Sequence, residues 1–385
     1  MGATIFQTKF KDKLSISILL FQIKSYTVRT LLLLIIGLII LLGLANPAYA
    51  YKRKDVYKLV ETNKCIKCDI SSYQKLPRVG SLNDTNLRGS NCERTNFSGM
   101  SFNQVNLSNA KLIQANLSQI TALDINLQQA QLNGADLSGA KLNKGNLTSA
   151  DLSRANLQEI DLSQANLHQS NLSDVNLREA GFYQAKLDNA NLTRANLTQA
   201  YLKEANMLYA NLTRANLTEA YLKEANMRYT TLLEANLSYA LLNGESDKQR
   251  TDLRNANLKD ALLIEASLIQ ADLRQSILVK ANLTKANLTA ALLNSVDFDR
   301  ANLSGSILEQ ADLRKANLSN ATLINTDFSN ADLRGANLTG ANIDDRTNFN
   351  NANLKGCIMP DGSSYHSSTT IIEKIRGSLR LNSMK

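Results

Sequence analysis

The chain has 385 residues, no tryptophan, three prolines and 5% aromatic against 44% hydrophobic residues, a balance that suits a narrow core of leucine and alanine better than a broad globular one. Its net charge of +9 sits in residues 1–80, where about 13 Lys and Arg face about 4 Asp and Glu, so the rest is electrically balanced. The totals show neither the basic stripe that a nucleic-acid binder needs to displace counterions nor the acidic stripe of a DNA mimic, and they disfavour both.

Residues 31–44, LLLLIIGLIILLGL, follow Lys24 and Arg29 and precede ANPAYA. That order is a basic region, an apolar run and a small-residue cleavage site at Ala48, Tyr49 and Ala50, so residues 1–50 read as an export signal. The alternative is an uncleaved membrane anchor, because the preceding region is long and holds its own apolar patch, ISILLF; membrane contact is expected only in that case. A spanning helix usually wants about 20 apolar residues. In the lead-in 51–81, Val56, Leu59 and Val60 of DVYKLVET share one helical face, which predicts a short capping helix over 55–62.

Cys65 and Cys68 form C-x-x-C in a segment expected to be exported, where disulfides persist. A structural disulfide is the leading reading, with thiol–disulfide exchange or free thiols as alternatives. The motif lacks the βαβ setting of a thioredoxin, and Cys68 holds a small position just before Asp69 and Ile70.

From Leu82 an apolar residue returns every fifth position, through Leu87, Phe97, Phe102 and Leu107 and on to Leu242. We call this position the centre. Two residues before it stands a small residue, usually alanine, and directly before it Asn or Asp. An α-helix would scatter such a set around its cylinder, and an uninterrupted strand would send alternate leucines to opposite faces. The pattern fits a short extended segment followed by a corner. If each unit turns a right angle, four close a square of twenty residues, and the next square stacks about 4.8 Å above it. The near-copy of NLTRANLTQAYLKEANMLYA (191–210) in NLTRANLTEAYLKEANMRYT (211–230) is then a vertical alignment, placing Tyr201 over Tyr221 and Tyr209 over Tyr229.

The units ANLTQ, ANLTE, ADLRK, ADLRG and ANLTG, spread over 82–359, resemble the pentapeptide-repeat family. The resemblance implies an all-β solenoid, a right-handed quadrilateral β-helix, here with short capping helices. It implies no single function, because members serve many roles. KCIKCDI and GCIMPDGSSY are similar to the flanks of cyanobacterial, exported members, which implies the thylakoid lumen or the periplasm. Counting centres gives about 13 coils and a rod of about 60–65 Å at the spacing of paired strands.

Between Leu242 and Leu253 the polar stretch 243–252 is expected to replace one unit by a looser loop, and a second slip falls between Ile343 and Phe349. In the tail 360–385, Thr370 and Glu373 have capping-box spacing with Ile372, Ile375 and Leu379 on one face, which predicts a second capping helix.

Catalysis needs a base held near its partner in a concave pocket. His168 points outward with no designated partner, His366 lies in the tail, and a filled prism offers no pocket, so no enzyme activity and no cofactor are expected. Nor is a metal site, since Cys92 is a centre and Cys357 a distant inward residue. The column Arg154, Asp174, Arg194, Arg214, Glu234 reads as a solvated face with one local repulsion between Arg194 and Arg214. Tyr183, Tyr201 and Tyr221 are expected on one wall and Tyr209 and Tyr229 at the next wall or its corner; ladders that stabilise stacked coils are the leading reading, and the five together are the candidate partner patch as the alternative. The expected function is a rigid, non-enzymatic scaffold for a protein partner, with end-to-end or side-by-side self-association allowed. A thiol–disulfide participant through Cys65 and Cys68 and a gyrase-directed DNA mimic stand as alternatives.

Overall fold

The computed structural model describes residues 47–73, 81–244 and 249–365. The apolar run 31–44, His366 and the predicted helix after Thr370 lie outside them. The chain divides into two compact units, Met1–Tyr57 and Lys58–Lys385. One α-helix occurs among the described residues, α1, Pro47–Thr62, and it begins well before the predicted 55–62. Val56 and Leu59 are buried and Val60 half-buried. Asn63 ends α1 with φ 50° and donates its N–H to Leu59 O at 3.0 Å; asparagine is one of the few residues that tolerate this left-handed cap.

Parallel bridges join residues twenty apart in four rows, seen in Ser101↔Thr121, Asn106↔Asn126, Lys111↔Gln131 and Asn116↔Asp136. These rows are walls 1 to 4, in that order. The stack starts at Lys64, bridged to Asn86, rather than at 82, because the fully buried Cys65 and Ile70 already serve as centres.

One unit shows why the five residues take this form. Asn146 N–H donates to Ile125 O of the previous coil at 2.8 Å, while Leu147 and Ser149 donate to Asn166 O and His168 O of the next at 2.7 and 2.9 Å. Ala150 N–H closes the corner on Leu147 O at 3.0 Å. The fifth donor, Thr148 N–H, goes to the Asn146 side chain, Oδ1, at 3.1 Å. Every backbone N–H of the unit is therefore satisfied, and the Asn or Asp before each centre is required as the acceptor for the corner. Ser149 has φ 55°, the positive value that a type II turn needs at its third residue. Outside glycine this conformation costs about 1–2 kcal/mol, and the inter-coil hydrogen bond of the same residue offsets it. Inside, Leu147 and Ala150 are 0 and 1% exposed, and this pair repeats along the rod.

The loop expectation is corrected. Tyr221 bridges Leu241 and Asn226 bridges Asp252, so 241 and 252 lie on successive walls and no unit of the coil is replaced, because a stretch with no apolar centre cannot fill a quarter of the core. Thr251 completes the pairing there: its hydroxyl accepts Glu224 N–H at 3.0 Å in place of a backbone carbonyl. The second slip stays within the wall, pairing Asp327 with Asn348. At the far end an antiparallel bridge, Ile358↔Ser364, and Tyr365 N–H donating to Cys357 O at 2.8 Å fold a hairpin over the exposed edge.

Candidate functional site

Tyr201 and Tyr221 stand at bridge positions of wall 1, so stacking of coils stacks the rings: their centroids are 4.9 Å apart at 14°. Tyr183, just beyond its centre Phe182, extends the ladder at 6.4 Å and 44° from Tyr201. Leu241 continues wall 1 and is 38% exposed; Tyr201 is 42% exposed. Lys223 Nζ lies 5.2 Å from the Tyr221 ring centre. Partial desolvation and the neighbouring Glu204 carboxylate push the Tyr183 hydroxyl pKa up. Tyr209 and Tyr229 form a separate stack, 5.0 Å and 16°, at the corner between walls 2 and 3, with the Arg228 guanidinium 5.5 Å from the Tyr229 ring. The five tyrosines are thus two ladders on either side of wall 2.

Wall 2 carries a feature that the sequence reading missed. Arg254 donates Nε and Nη2 to Asp252 at 2.9 and 2.6 Å, Arg274 does the same to Asp272 at 2.8 and 2.6 Å, and Arg254 Nε lies 3.5 Å from Asp272. Asp312–Arg314 and Asp332–Arg334 repeat the arrangement. The recurring D-L-R at 252–254, 272–274, 312–314 and 332–334 was its legible sign.

The expected repulsion between Arg194 and Arg214 is resolved by opposite pairing. Arg194 donates to Asp174 at 2.6 and 2.7 Å, and Arg214 to Glu234 at 2.8 and 3.3 Å. His168, expected without a partner, pairs through Nδ1 with Asp188 one coil on.

Cys65 and Cys68 are joined in a disulfide with Cα atoms 5.3 Å apart. Cys65 is a centre and Cys68 the small inward residue after the corner, and Cys68 N–H donates to Cys65 O at 3.3 Å. C-x-x-C is the spacing that places two inward side chains across one turn. Both are buried, as are the free cysteines Cys92 and Cys357. Burial, with Asp69 adding to it, pushes the Cys92 thiol pKa far up, and burial alone pushes Cys357 up to about 12; neither supplies a thiolate nucleophile.

The family described as pentapeptide repeats matches in eight copies, over residues 81–119, 124–158, 155–194, 182–218, 215–244, 249–279, 281–320 and 316–359. The chain is similar to the crystal structure of HetL, a pentapeptide repeat protein involved in heterocyst differentiation regulation from Nostoc sp. strain PCC 7120: 36% identity, 69% of this chain and 93% of that one, TM-score 0.23. A pentapeptide repeat protein from the Arabidopsis thaliana thylakoid lumen matches at 30% identity over 30% of this chain and 71% of that one, TM-score 0.15. QnrB1, a plasmid-mediated fluoroquinolone resistance protein, matches at 16% identity over 69% and 94%, TM-score 0.19. No curated protein matches the chain. With the repeat match running through most of the sequence and the four-walled coil it predicts in place, the chain belongs to the pentapeptide-repeat family, whose fold is the right-handed quadrilateral β-helix.

Proposed function

We propose that this chain is a non-enzymatic scaffold that captures a protein partner on the tyrosine ladder of wall 1, in the thylakoid lumen or periplasm. One observation carries the reading. Tyr183, Tyr201 and Tyr221 present stacked, half-exposed rings on a backbone held by inter-coil hydrogen bonds, whereas the four Asp–Arg pairs of wall 2 are closed on themselves. Aromatic area with little conformational entropy to lose is the surface that interface hot spots use. Export rests on the order of basic, apolar and small residues in 1–50. If that segment is retained instead, residues 31–44 tether the scaffold to a membrane; among the described residues no helix is long and apolar enough to cross one.

The test is capture from fractionated native cells with the full chain against the double variant Y201S/Y221S, together with N-terminal sequencing of the recovered protein. Loss of one specific captured protein, with the circular dichroism of the rod unchanged, is expected. Equal capture by both sinks the ladder as the partner surface. A mature N-terminus upstream of Lys24 sinks cleavage.

The buried disulfide supports a staple of the first coil over an exchange centre, because an exchange partner must reach a sulfur. A gyrase-directed mimic of DNA is disfavoured by the Asp–Arg pairing of wall 2, which presents no row of bare anions. Binding of purified gyrase to the mature chain would reopen it.

A further inference from the structure

The near-copies 191–210 and 211–230 differ at three positions, and one of them puts Arg228 on wall 2 where the previous coil carries Leu208. Arg228 shares the register of Arg254 and Arg274 but not their local sequence. Each D-L-R arginine has an aspartate two residues before it that takes its guanidinium, whereas Arg228 follows Asn226, a neutral amide. Asn226 Oδ1 accepts the Arg228 backbone N–H at 3.3 Å, and its Nδ2 donates to Asn206 Oδ1 at 2.8 Å. The Arg228 guanidinium is left over. Its Nε is buried with no hydrogen-bond partner, and Asp252 Oδ2 stands 3.8 Å away, beyond hydrogen-bond reach. Asp252 is already engaged, accepting the backbone N–H, Nε and Nη2 of Arg254 at 3.1, 2.9 and 2.6 Å; Arg274 holds Asp272 in the same way. Three guanidiniums in one column thus share two carboxylates, and the surplus charge falls at Arg228.

We infer that Arg228, with Tyr229 and Tyr209 beside it, is a docking site for an acidic side chain of a protein partner, a carboxylate with an apolar neighbour. The site goes beyond the ladder of wall 1 and stands or falls without it. The Tyr229 ring centre lies 5.5 Å from the guanidinium carbon, and Tyr209 stacks on the same ring. These two tyrosines are 53 and 40% exposed for Tyr209 and Tyr229, so their edges offer apolar area next to the charge. The Arg228 side chain is 38% exposed. With Nε covered, its two Nη groups form the end of the fork that a carboxylate takes bidentately. A neutral side chain placed there would cover the guanidinium without pairing it, which costs free energy. Arginine and tyrosine together are the residues in which interface hot spots are enriched.

The experiment follows the Tyr229 ring signals in full chain carrying labelled tyrosine, assigned by their loss in Tyr229→Phe. The chain is titrated with acetylated, amidated Phe-Glu-Phe, with Phe-Gln-Phe and with inorganic phosphate. Saturable shifts with the glutamate peptide are expected, and about tenfold weaker binding of the glutamine peptide, the loss of a charge-assisted hydrogen bond. Arg228→Leu installs the residue of the previous coil and should remove the preference for glutamate. Asn226→Asp, which gives Arg228 the aspartate of a D-L-R unit, should weaken the glutamate peptide about tenfold and covers the case in which the Arg228 variant does not fold. Equal binding of the two peptides, or an undiminished preference in Arg228→Leu, overturns the site. Phosphate shifts at the concentrations that suffice for the glutamate peptide would make Arg228 a site for any anion and overturn the partner carboxylate. Y201S/Y221S leaves Arg228 in place and should bind the glutamate peptide as the unaltered chain does, so the ladder and this site fail separately.

Discussion

Walls 1 and 2 are built on the same interior and differ only outside. Both rest on buried leucine centres such as Leu202 and Leu273, 1 and 0% exposed, and both repeat at the coil spacing. On wall 2 each aspartate between Asp252 and Asp332 folds an arginine back on itself, so charge that looks available in the sequence is already spent within the molecule. On wall 1 the rings stack on each other and still leave area open, because a stacked aromatic covers its faces and not its edges. The contrast teaches that an outward residue of such a rod is free for a partner when its neighbour one coil away cannot satisfy it.

The largest test of this contrast is the shared interior. Leu202→Ala and Leu273→Ala should each cost about 2–5 kcal/mol, read by urea unfolding; a clear difference between them would show that the walls differ inside as well. Next, Asp272→Asn should cost about 1–3 kcal/mol, because its side chain is only 7% exposed and anchors Arg274 while touching Arg254. A neutral result would mean that wall 2 is held by its backbone alone. Third, Tyr221→Ala should cost about 0.5–1.5 kcal/mol through lost stacking, with the coupling to Tyr201 measured by a double-mutant cycle. A vanishing coupling would make the rings independent surface residues.

Acid should separate the walls more gently. The Arg334 hydrogen bonds hold the Asp332 pKa below the usual carboxylate range, so its contribution is full above the unfolded value of about 4 and is lost as pH falls through the lower folded value. Asp332→Asn is therefore expected to lower stability at neutral pH, where the contribution is full, and to flatten the acid limb below about pH 4; an unaltered limb would remove wall 2 from acid unfolding. Smallest of all, Arg194→Ala breaks an exposed pair with Asp174 and should leave the unfolding midpoint within error.

Much of the interior was legible because its rule is local. A period of five with a small residue two before each centre places Leu147 and Ala150 inside without reference to anything distant. The role of the residue before the centre was not legible as chemistry: Asn146 is conspicuous as a letter, but only the turn shows that its Oδ1 takes Thr148 N–H. The tyrosine columns could be aligned at twenty, so Tyr201 over Tyr221 was foreseeable. The pairing of His168 with Asp188, also twenty residues on, was not legible because whether the ring reaches the carboxylate depends on side-chain rotamers. The insertion misled for a different reason. Its length, close to two units, fits a replaced wall as well as an excursion, and the choice depends on whether the core tolerates a missing apolar side chain.

The sequence by itself determined the coil, its period and the set of residues that face inward, since each coil touches only its neighbours and the same short pattern must satisfy both. The tertiary structure alone decided that 241 and 252 stand on successive walls, that Arg254 reaches Asp272 as well as Asp252, and that His168 meets Asp188. Those depend on contacts between coils, where rotamer and charge choose among neighbours that periodicity makes equivalent.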